Sequence, residues 1–299
     1  MFLCWMEMKK PNIKFFCIGT QKAGTTTLHN ILKEHPDIYL PFRKETHYFD
    51  VDNRYLNGLE WFYKEFFSEY KDELIAGSFT ASYSFYPKVP KRIFNDLGSD
   101  IKFIFVLRQP IDRAVSHYNM TKGRLYENLI FEEAIAQEKI RIQRGDFEFG
   151  HYSYFSRGYY SVQIERYFRF FPEEQFLFLD FDTDIVENLP ETLIRIQNFL
   201  GVKVMQLNSN IHSNKAFSYQ SNLFTKYLQS RNKNKKILKR IIPKNLRMNL
   251  REKILNLYTT DNKMSLSQGE RQRYFNTYFQ DDHYKVEKLS KLELSHWKD

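Results

Sequence analysis

Residues 13–32 constrain the fold of this chain more than any other stretch. Ile13-Lys14-Phe15-Phe16-Cys17-Ile18 is an apolar, partly β-branched run, which predicts a strand over 13–18. It feeds a short loop bounded by Gly19 and Gly24, and the loop opens a segment with helical spacing at Leu28, Ile31 and Leu32 that stops at His35-Pro36. Strand, glycine loop and helix together aim backbone N–H groups and a helix N-terminus at a phosphate. Lys22, inside the loop, can reach a bridging or terminal oxygen. The spacing departs from the Walker A order, in which Lys directly follows the second glycine and a hydroxyl comes next. Here Thr25 holds the Lys position and the Lys stands at 22. On the loop alone, phosphate binding and an ordinary βα turn both stay open.

A second segment bears on the choice. Ile101-Lys102-Phe103-Ile104-Phe105-Val106-Leu107 predicts a buried strand with Arg108 at its carboxyl end. Pro110 then sets φ for a helix start, with Asp112, Val115 and Tyr118 on the following turns. Ligands of open α/β sheets collect outside the carboxyl ends of strands, so Arg108 and the loop 19–25 can share one crevice. Arg108 offers a bidentate fork for a phosphate, and Ser116, two turns into the helix, offers a hydroxyl. The alternative for Arg108 is a local ion pair with Asp112, and for Ser116 a helix position without a ligand.

Along the chain, strands are predicted over 13–18, 38–40, 74–80, 101–107 and 175–180. Helices are predicted over 25–34, 58–67, 88–97, 111–121, 131–142, 159–171 and 188–200, the last stopped by Gly201. Such alternation predicts an α/β fold with a mostly parallel central sheet flanked by helices. The tail from 220 reads as mostly helical, with a polar break at 259–263. With no internal repeat and no long Gly/Ser linker, a single domain over 1–299 is expected, preceded by an extension at 1–12.

At these segments the chain resembles the sulfotransferases that use 3′-phosphoadenosine 5′-phosphosulfate (PAPS), most nearly the heparan sulfate sulfotransferase group and its bacterial relatives. Gly19-Thr20-Gln21-Lys22-Ala23-Gly24-Thr25-Thr26 is similar to the family's 5′-phosphosulfate loop, and Val106 to Tyr118 to its 3′-phosphate segment. His35-Pro36-Asp37 with Lys44-Glu45-Thr46-His47-Tyr48-Phe49 resembles the acceptor-side loop that carries the catalytic carboxylate. Gly58 to Phe62, Gly158 to Tyr167 and Phe171 to Leu177 continue the likeness, which covers most of 13–205 in order, and Leu289 to Leu294 with Trp297 resembles the family's ending.

The resemblance implies a P-loop-like sulfotransferase fold and a role for each residue. Lys22 would neutralise the bridging oxygen as the sulfuryl group leaves. Gln21, Ala23, Gly24, Thr25, Thr26 and Thr27 would line the 5′-phosphate, with backbone amides of 23–26 and the Thr25 and Thr26 hydroxyls holding it. Arg108 and Ser116 would bind the 3′-phosphate and distinguish PAPS from ATP. Glu45 would be the general base toward an acceptor hydroxyl, or less favourably an amine, with His47 orienting the acceptor or serving as the alternative base. If 45–49 is extended, Glu45, His47 and Phe49 share one face. A carbohydrate or glycan acceptor is implied, and an in-line displacement of this kind needs no metal. For Glu45 the competing assignment is a solvated surface pair with Lys44, and for His47 a packed or surface histidine.

Two departures from the heparan-type pattern stand out. Phe79, in Ser78-Phe79-Thr80-Ala81-Ser82-Tyr83, occupies the place of that group's second lysine near the transferring group. Either another cation substitutes or the acceptor pocket differs. That group's late cysteine-bounded Lys-Gly-Arg loop has no counterpart, and Asn214-Lys215 or the basic stretch after 230 is the expected stand-in.

Composition adds boundaries. The 28 Phe and 20 Tyr predict a large aromatic core, with a minority left to stack on adenine or a sugar. Cys4 and Cys17 make no disulfide framework, and Cys17 is expected as a buried thiol. The eight His show no His-Glu-x-x-His pattern, and no Cys-x-x-Cys occurs. The opening Met1 to Met6 is too short for a signal segment, and far below the ~20 apolar residues of a membrane span, so a cytoplasmic protein is expected. The net charge of +9 implies an anionic partner. Much of the excess lies in 231–253, read as a solvated excursion, a rim for an anionic glycan or the nucleotide, or a contact with acidic lipid. Two other functional classes stay in view. A P-loop kinase or phosphotransferase is disfavoured by the displaced Lys22. A non-catalytic protein binding nucleic acid or another anionic polymer would lean on 231–253, and nucleic acid is not the expected partner.

Overall fold

The structure, a computed structural model, describes residues 9–209, 218–219, 259–260 and 263–298. The tail 220–258, the basic run 231–253 and Asn214-Lys215 lie outside the described residues. The chain divides into two compact units, one made of 1–110, 159–213 and 274–299, the other of 111–158 and 214–273.

The first unit contains a five-stranded parallel sheet. Its strands are β1 (Ile13–Gly19), β2 (Ile38–Tyr39), β3 (Ile75–Phe79), β4 (Lys102–Leu107) and β5 (Phe176–Asp180), in the order β2-β3-β1-β4-β5. Cys17 pairs with Phe79 on one side and Ile104 on the other, and Val106 pairs with Leu179. The central strands are continuous apolar runs because helices cover both faces of a parallel sheet. Connections leave β1 and β4, which are neighbours, toward opposite edges. The crevice beyond their carboxyl ends is therefore the topological switch point.

The two faces pack differently. Phe15, Cys17, Ile104 and Val106 meet Leu28, Ile31 and Leu32 of the helix Thr25–Leu32, and Ile196 and Leu200 of the helix Leu189–Leu200, in a largely aliphatic core. Side chains alternate along the strand, and the opposite face is aromatic. Phe16 meets Phe49 edge-on at 5.7 Å, and Phe103 meets Phe171 at 4.6 Å and Tyr167 at 5.2 Å. On this side of the sheet the packing is thus carried by aromatic rings. Cys17 is a buried free thiol, which burial pushes up to about 12, away from reactivity.

The C-terminal helices Gln268–Tyr278 and Gln280–Ser290 realise the helical end. Asp282 accepts the Tyr160 N–H at 2.9 Å and the Ser161 N–H at 3.3 Å, capping the helix Tyr160–Phe168. Trp297 is buried, and its Nε1 donates to Asp180 Oδ1 at 2.9 Å.

In the second unit a buried carboxylate organises the packing. Glu127 accepts both Arg141 terminal nitrogens, at 2.8 and 3.1 Å, and the Tyr154 hydroxyl at 2.8 Å. Ser218–Tyr219 and Thr259–Thr260 pair antiparallel at the expected polar break.

Elsewhere the differences are local. The helix expected over 131–142 is two, Phe131–Ala136 and Glu138–Arg141, and that over 159–171 stops at Phe168. Short helices Asp52–Tyr55 and Asp146–Tyr152 and a π-helical turn Phe181–Glu187 fall where no element was predicted. Among the described residues no helix is long and apolar enough to cross a membrane.

Candidate active site

The turn after β1 is tied to the neighbouring strand by Thr20, whose N–H donates to the Val106 carbonyl at 2.7 Å. Ala23 is buried and donates back to Thr20 O at 3.2 Å. Lys22 and Gly24 both have left-handed φ, 78° and 71°, the concave backbone that gathers N–H groups around an anion. At Gly24 a Cβ would stand 2.9 Å from Ile185 Cγ2 and 3.1 Å from the Phe181 ring. Glycine is required there for both φ and space. Gly24 is the N-cap of the helix Thr25–Leu32 and has no side chain of its own to cap it. The first-turn N–H groups of Thr25 and Thr26 are thus left without an intrahelical acceptor, while Thr27 N–H closes onto Gly24 O at 2.9 Å.

Arg108 emerges beside this loop. Its Nη1 donates to the Lys22 carbonyl at 2.8 Å, and its guanidinium lies 4.4 Å from the centre of the Phe181 ring. The Tyr160 hydroxyl donates to the Arg108 carbonyl at 2.8 Å. Arg108 Nε is buried and has no hydrogen-bond partner among the described residues, as do Thr20 Oγ1 and Gln21 Oε1. Asp112, the local partner considered from sequence, pairs with Arg271 at 3.0 Å in the second unit. Ser116 is a half-buried residue of the helix Pro110–Gly123 and belongs to that second unit.

The loop bearing Glu45 lies against the turn after β3. Glu45 Oε2 accepts the Ala81 N–H at 3.0 Å, and Oε1 accepts from Lys44 Nζ at 3.0 Å. The same ammonium donates to Thr25 Oγ1 at 3.0 Å and Thr26 Oγ1 at 3.2 Å. The pair of Lys44 and Glu45 is therefore not a solvated surface pair.

The shared face expected for Glu45, His47 and Phe49 is not formed. His47 has φ of 49°, and Phe49 turns into the aromatic core, 5.8 Å from Tyr83, while Glu45 and His47 stay half-buried. Tyr83 is the physical reason. Its hydroxyl accepts the Tyr48 and Phe49 N–H groups at 3.1 and 3.3 Å and bonds Thr46 Oγ1 at 2.8 Å. These bonds curl the segment out of an extended path.

His47 Nδ1 lies 2.8 Å from Asp50 Oδ2, and Ser82 Oγ donates to the same oxygen at 2.7 Å. Burial is the largest single influence on His47 and lowers its proton affinity. The Asp50 hydrogen bond and charge, with the Glu45 charge, outweigh it and raise the pKa above 6.5. Lys44, Asp50, Ser82 and the Ala81 N–H were missed as site groups from sequence. In the sequence only the adjacency of Lys44 to Glu45 and the i,i+3 spacing of His47 and Asp50 bear on them, and neither marks a site group.

Lys22, Arg108, Thr25, Thr26, Lys44 and Glu45 thus meet in the first unit. First-turn helix donors, a buried Arg108 Nε with no partner among the described residues and the Lys44 ammonium on Thr25 and Thr26 fit a multiply charged phosphate ligand beside a carboxylate. Among the described residues Asp180, Asp182 and His296 also bring ligand atoms within 4.8 Å of one another. Asp180 is already engaged there by Trp297 and by the Asp182 and Thr183 N–H groups.

Comparison with known proteins follows the same line. Residues 12–286 match the family described as the sulfotransferase domain. The heparan sulfate glucosamine 3-O-sulfotransferase 5 of Mus musculus is 30% identical over 208 residues, 68% of this chain and 58% of that protein. The heparan sulfate glucosamine 3-O-sulfotransferase 3B1 of Homo sapiens is 32% identical over 203 residues, 66% of this chain and 48% of that protein. The chain thus spans only about half the length of these relatives. The crystal structure of a sulfotransferase from Alicyclobacillus acidocaldarius superposes with a TM-score of 0.67 at 24% identity, covering 97% of this chain and 100% of that one, which shows a common fold. With a family match that runs from before β1 into the last long helix, this chain belongs to the sulfotransferase domain family.

Proposed function

We propose that this chain transfers a sulfuryl group from PAPS to a hydroxyl, less favourably an amine, of a carbohydrate or glycan acceptor. The observation that carries the proposal is the 2.8 Å bond from Arg108 Nη1 to the Lys22 carbonyl. It sets a guanidinium with a spare buried Nε beside the glycine loop, which suits a nucleotide charged at both its 5′ and 3′ positions. ATP has no 3′-phosphate for Arg108. The relatives' names, which specify heparan sulfate glucosamine, support a glycan acceptor.

When bound, PAPS supplies a sulfuryl group on a phosphate leaving group. The chain's own residues do the rest by positioning and charge. Thr25 and Thr26 N–H groups hold the 5′-phosphate, Lys22 offsets charge at the bridging oxygen, and Arg108 holds the 3′-phosphate. Glu45, fixed by the Ala81 N–H at 3.0 Å, takes the acceptor proton. His47, whose Nδ1 lies 2.8 Å from Asp50 Oδ2, orients the acceptor.

The test is transfer of radiolabelled sulfate from PAPS to a polysaccharide panel that includes heparan sulfate. Glu45→Gln is expected to cut turnover by about 10²- to 10⁴-fold, with affinity for adenosine 3′,5′-bisphosphate (PAP) held within about threefold. Full transfer by Glu45→Gln would contradict the assigned base. Phosphate transfer from ATP in place of sulfate transfer would replace the donor.

A further inference from the structure

Lys44 occupies a position that the roles above leave unused. Its ammonium touches three groups at once, Thr25 Oγ1 at 3.0 Å, Thr26 Oγ1 at 3.2 Å and Glu45 Oε1 at 3.0 Å. The hydroxyls mark the start of the phosphate-facing helix, and the carboxylate marks the base. In a displacement, the group in transit lies between the leaving phosphate and the attacked acceptor, so a cation spanning the two lies alongside it. The Lys44 side chain is only 16% exposed, where an ammonium attracts an anion more strongly than in water. An ammonium carries three donors and no acceptor. Two of its present partners are neutral hydroxyls, weaker acceptors than an anionic oxygen.

The neighbouring strand supplies no competing charge. Phe79 ends β3 with a ring buried edge-on against His29 at 5.5 Å and Phe15 at 6.3 Å. Its side chain belongs to the core.

Resting on the PAPS reading above, we propose that Lys44 is a second donor-site cation, binding the sulfuryl oxygens and holding them in line between the leaving phosphate and Glu45. In the step it serves, the sulfur–oxygen bond to the 5′-phosphate breaks and its electron pair stays on the phosphate oxygen. A bond from the acceptor oxygen to sulfur forms, and the acceptor proton passes to Glu45. Lys44 gives up no proton. It holds charge and geometry throughout, and it takes the place that Phe79 leaves without a cation.

The experiment is calorimetric titration of PAPS and of PAP, without acceptor, into the wild-type chain and into Lys44→Met and Lys44→Arg, with thermal melting of each. PAP lacks the sulfuryl group and is the internal control. Lys44→Met is expected to weaken PAPS by about 10- to 100-fold, the value of a hydrogen-bonded charge, and PAP by less than about threefold. Lys44→Arg is expected to recover part of the loss for PAPS. Equal losses for the two nucleotides, or no loss for either, would overturn the proposal, because a lysine that merely fastens the loop affects both alike and lowers the melting temperature. A wild-type chain that binds neither nucleotide would instead remove the donor assignment itself.

Discussion

Tyr83 shows how one buried residue sets the chemistry of several others. Its hydroxyl gathers Thr46, Tyr48 and Phe49, and that curl leaves Glu45 on the Ala81 N–H and His47 on Asp50. The His47–Asp50 contact has a pH signature. Because the folded state raises the His47 pKa, protonated His47 stabilises the fold. That contribution is fully present below the unfolded value near 6.5 and is lost as pH rises through the higher folded value. Asp50→Asn removes the main raising influence, leaving only the Glu45 charge, and is expected to lower the His47 pKa and flatten this part of the profile. Titration of the His47 ring by NMR, with melting followed between about pH 5 and 9, checks it. An unchanged His47 pKa in Asp50→Asn would refute the coupling. Lys22, Arg108 and Glu45 were legible in sequence because each sits in a contiguous motif. Lys44, Asp50 and the Ala81 N–H were not, since their roles arise where 44–50 meets 80–83, a contact set by Tyr83 and invisible to local spacing.

Among elements, the central strands were the most legible. β1 and β4 are buried on both faces and read as unbroken apolar runs. The four-residue helix Asp52–Tyr55 carries no periodicity long enough to register, and Arg92 holds its start through Asp52 at 2.5 Å. Sheet packing imposes one further requirement that sequence hides. At Gly77, in the middle of β3, a Cβ would run into the ring of Phe15 on the neighbouring strand. Phe15 is fully buried among Leu28, Ile31 and Val106, so the ring has nowhere to retreat. Gly77→Ala is expected to cost about 1–3 kcal/mol by overpacking, read as a lower urea midpoint at unchanged slope. A stability equal to wild type would mean that this face of the sheet is looser than its contacts indicate.

At the scale of the whole molecule, strand order decides function. The order β2-β3-β1-β4-β5 makes neighbours of two strands that are about ninety residues apart in sequence. The Lys22 loop and Arg108 therefore open at one switch point. The alternation of strands and helices was readable from the sequence. The order was not, because pairing is chosen by long-range burial after each element exists. The most direct measurement compares PAP with adenosine 5′-monophosphate, which differs only in lacking the 3′-phosphate, by calorimetry on the wild-type chain and on Arg108→Ala. The wild-type chain is expected to prefer PAP by about 10- to 100-fold, the worth of a charge-assisted phosphate contact, and Arg108→Ala to reduce that preference to within about threefold. Equal affinity of the wild-type chain for the two nucleotides, or a preference that survives loss of Arg108, would contradict the assignment of Lys22 and Arg108 to opposite ends of one nucleotide.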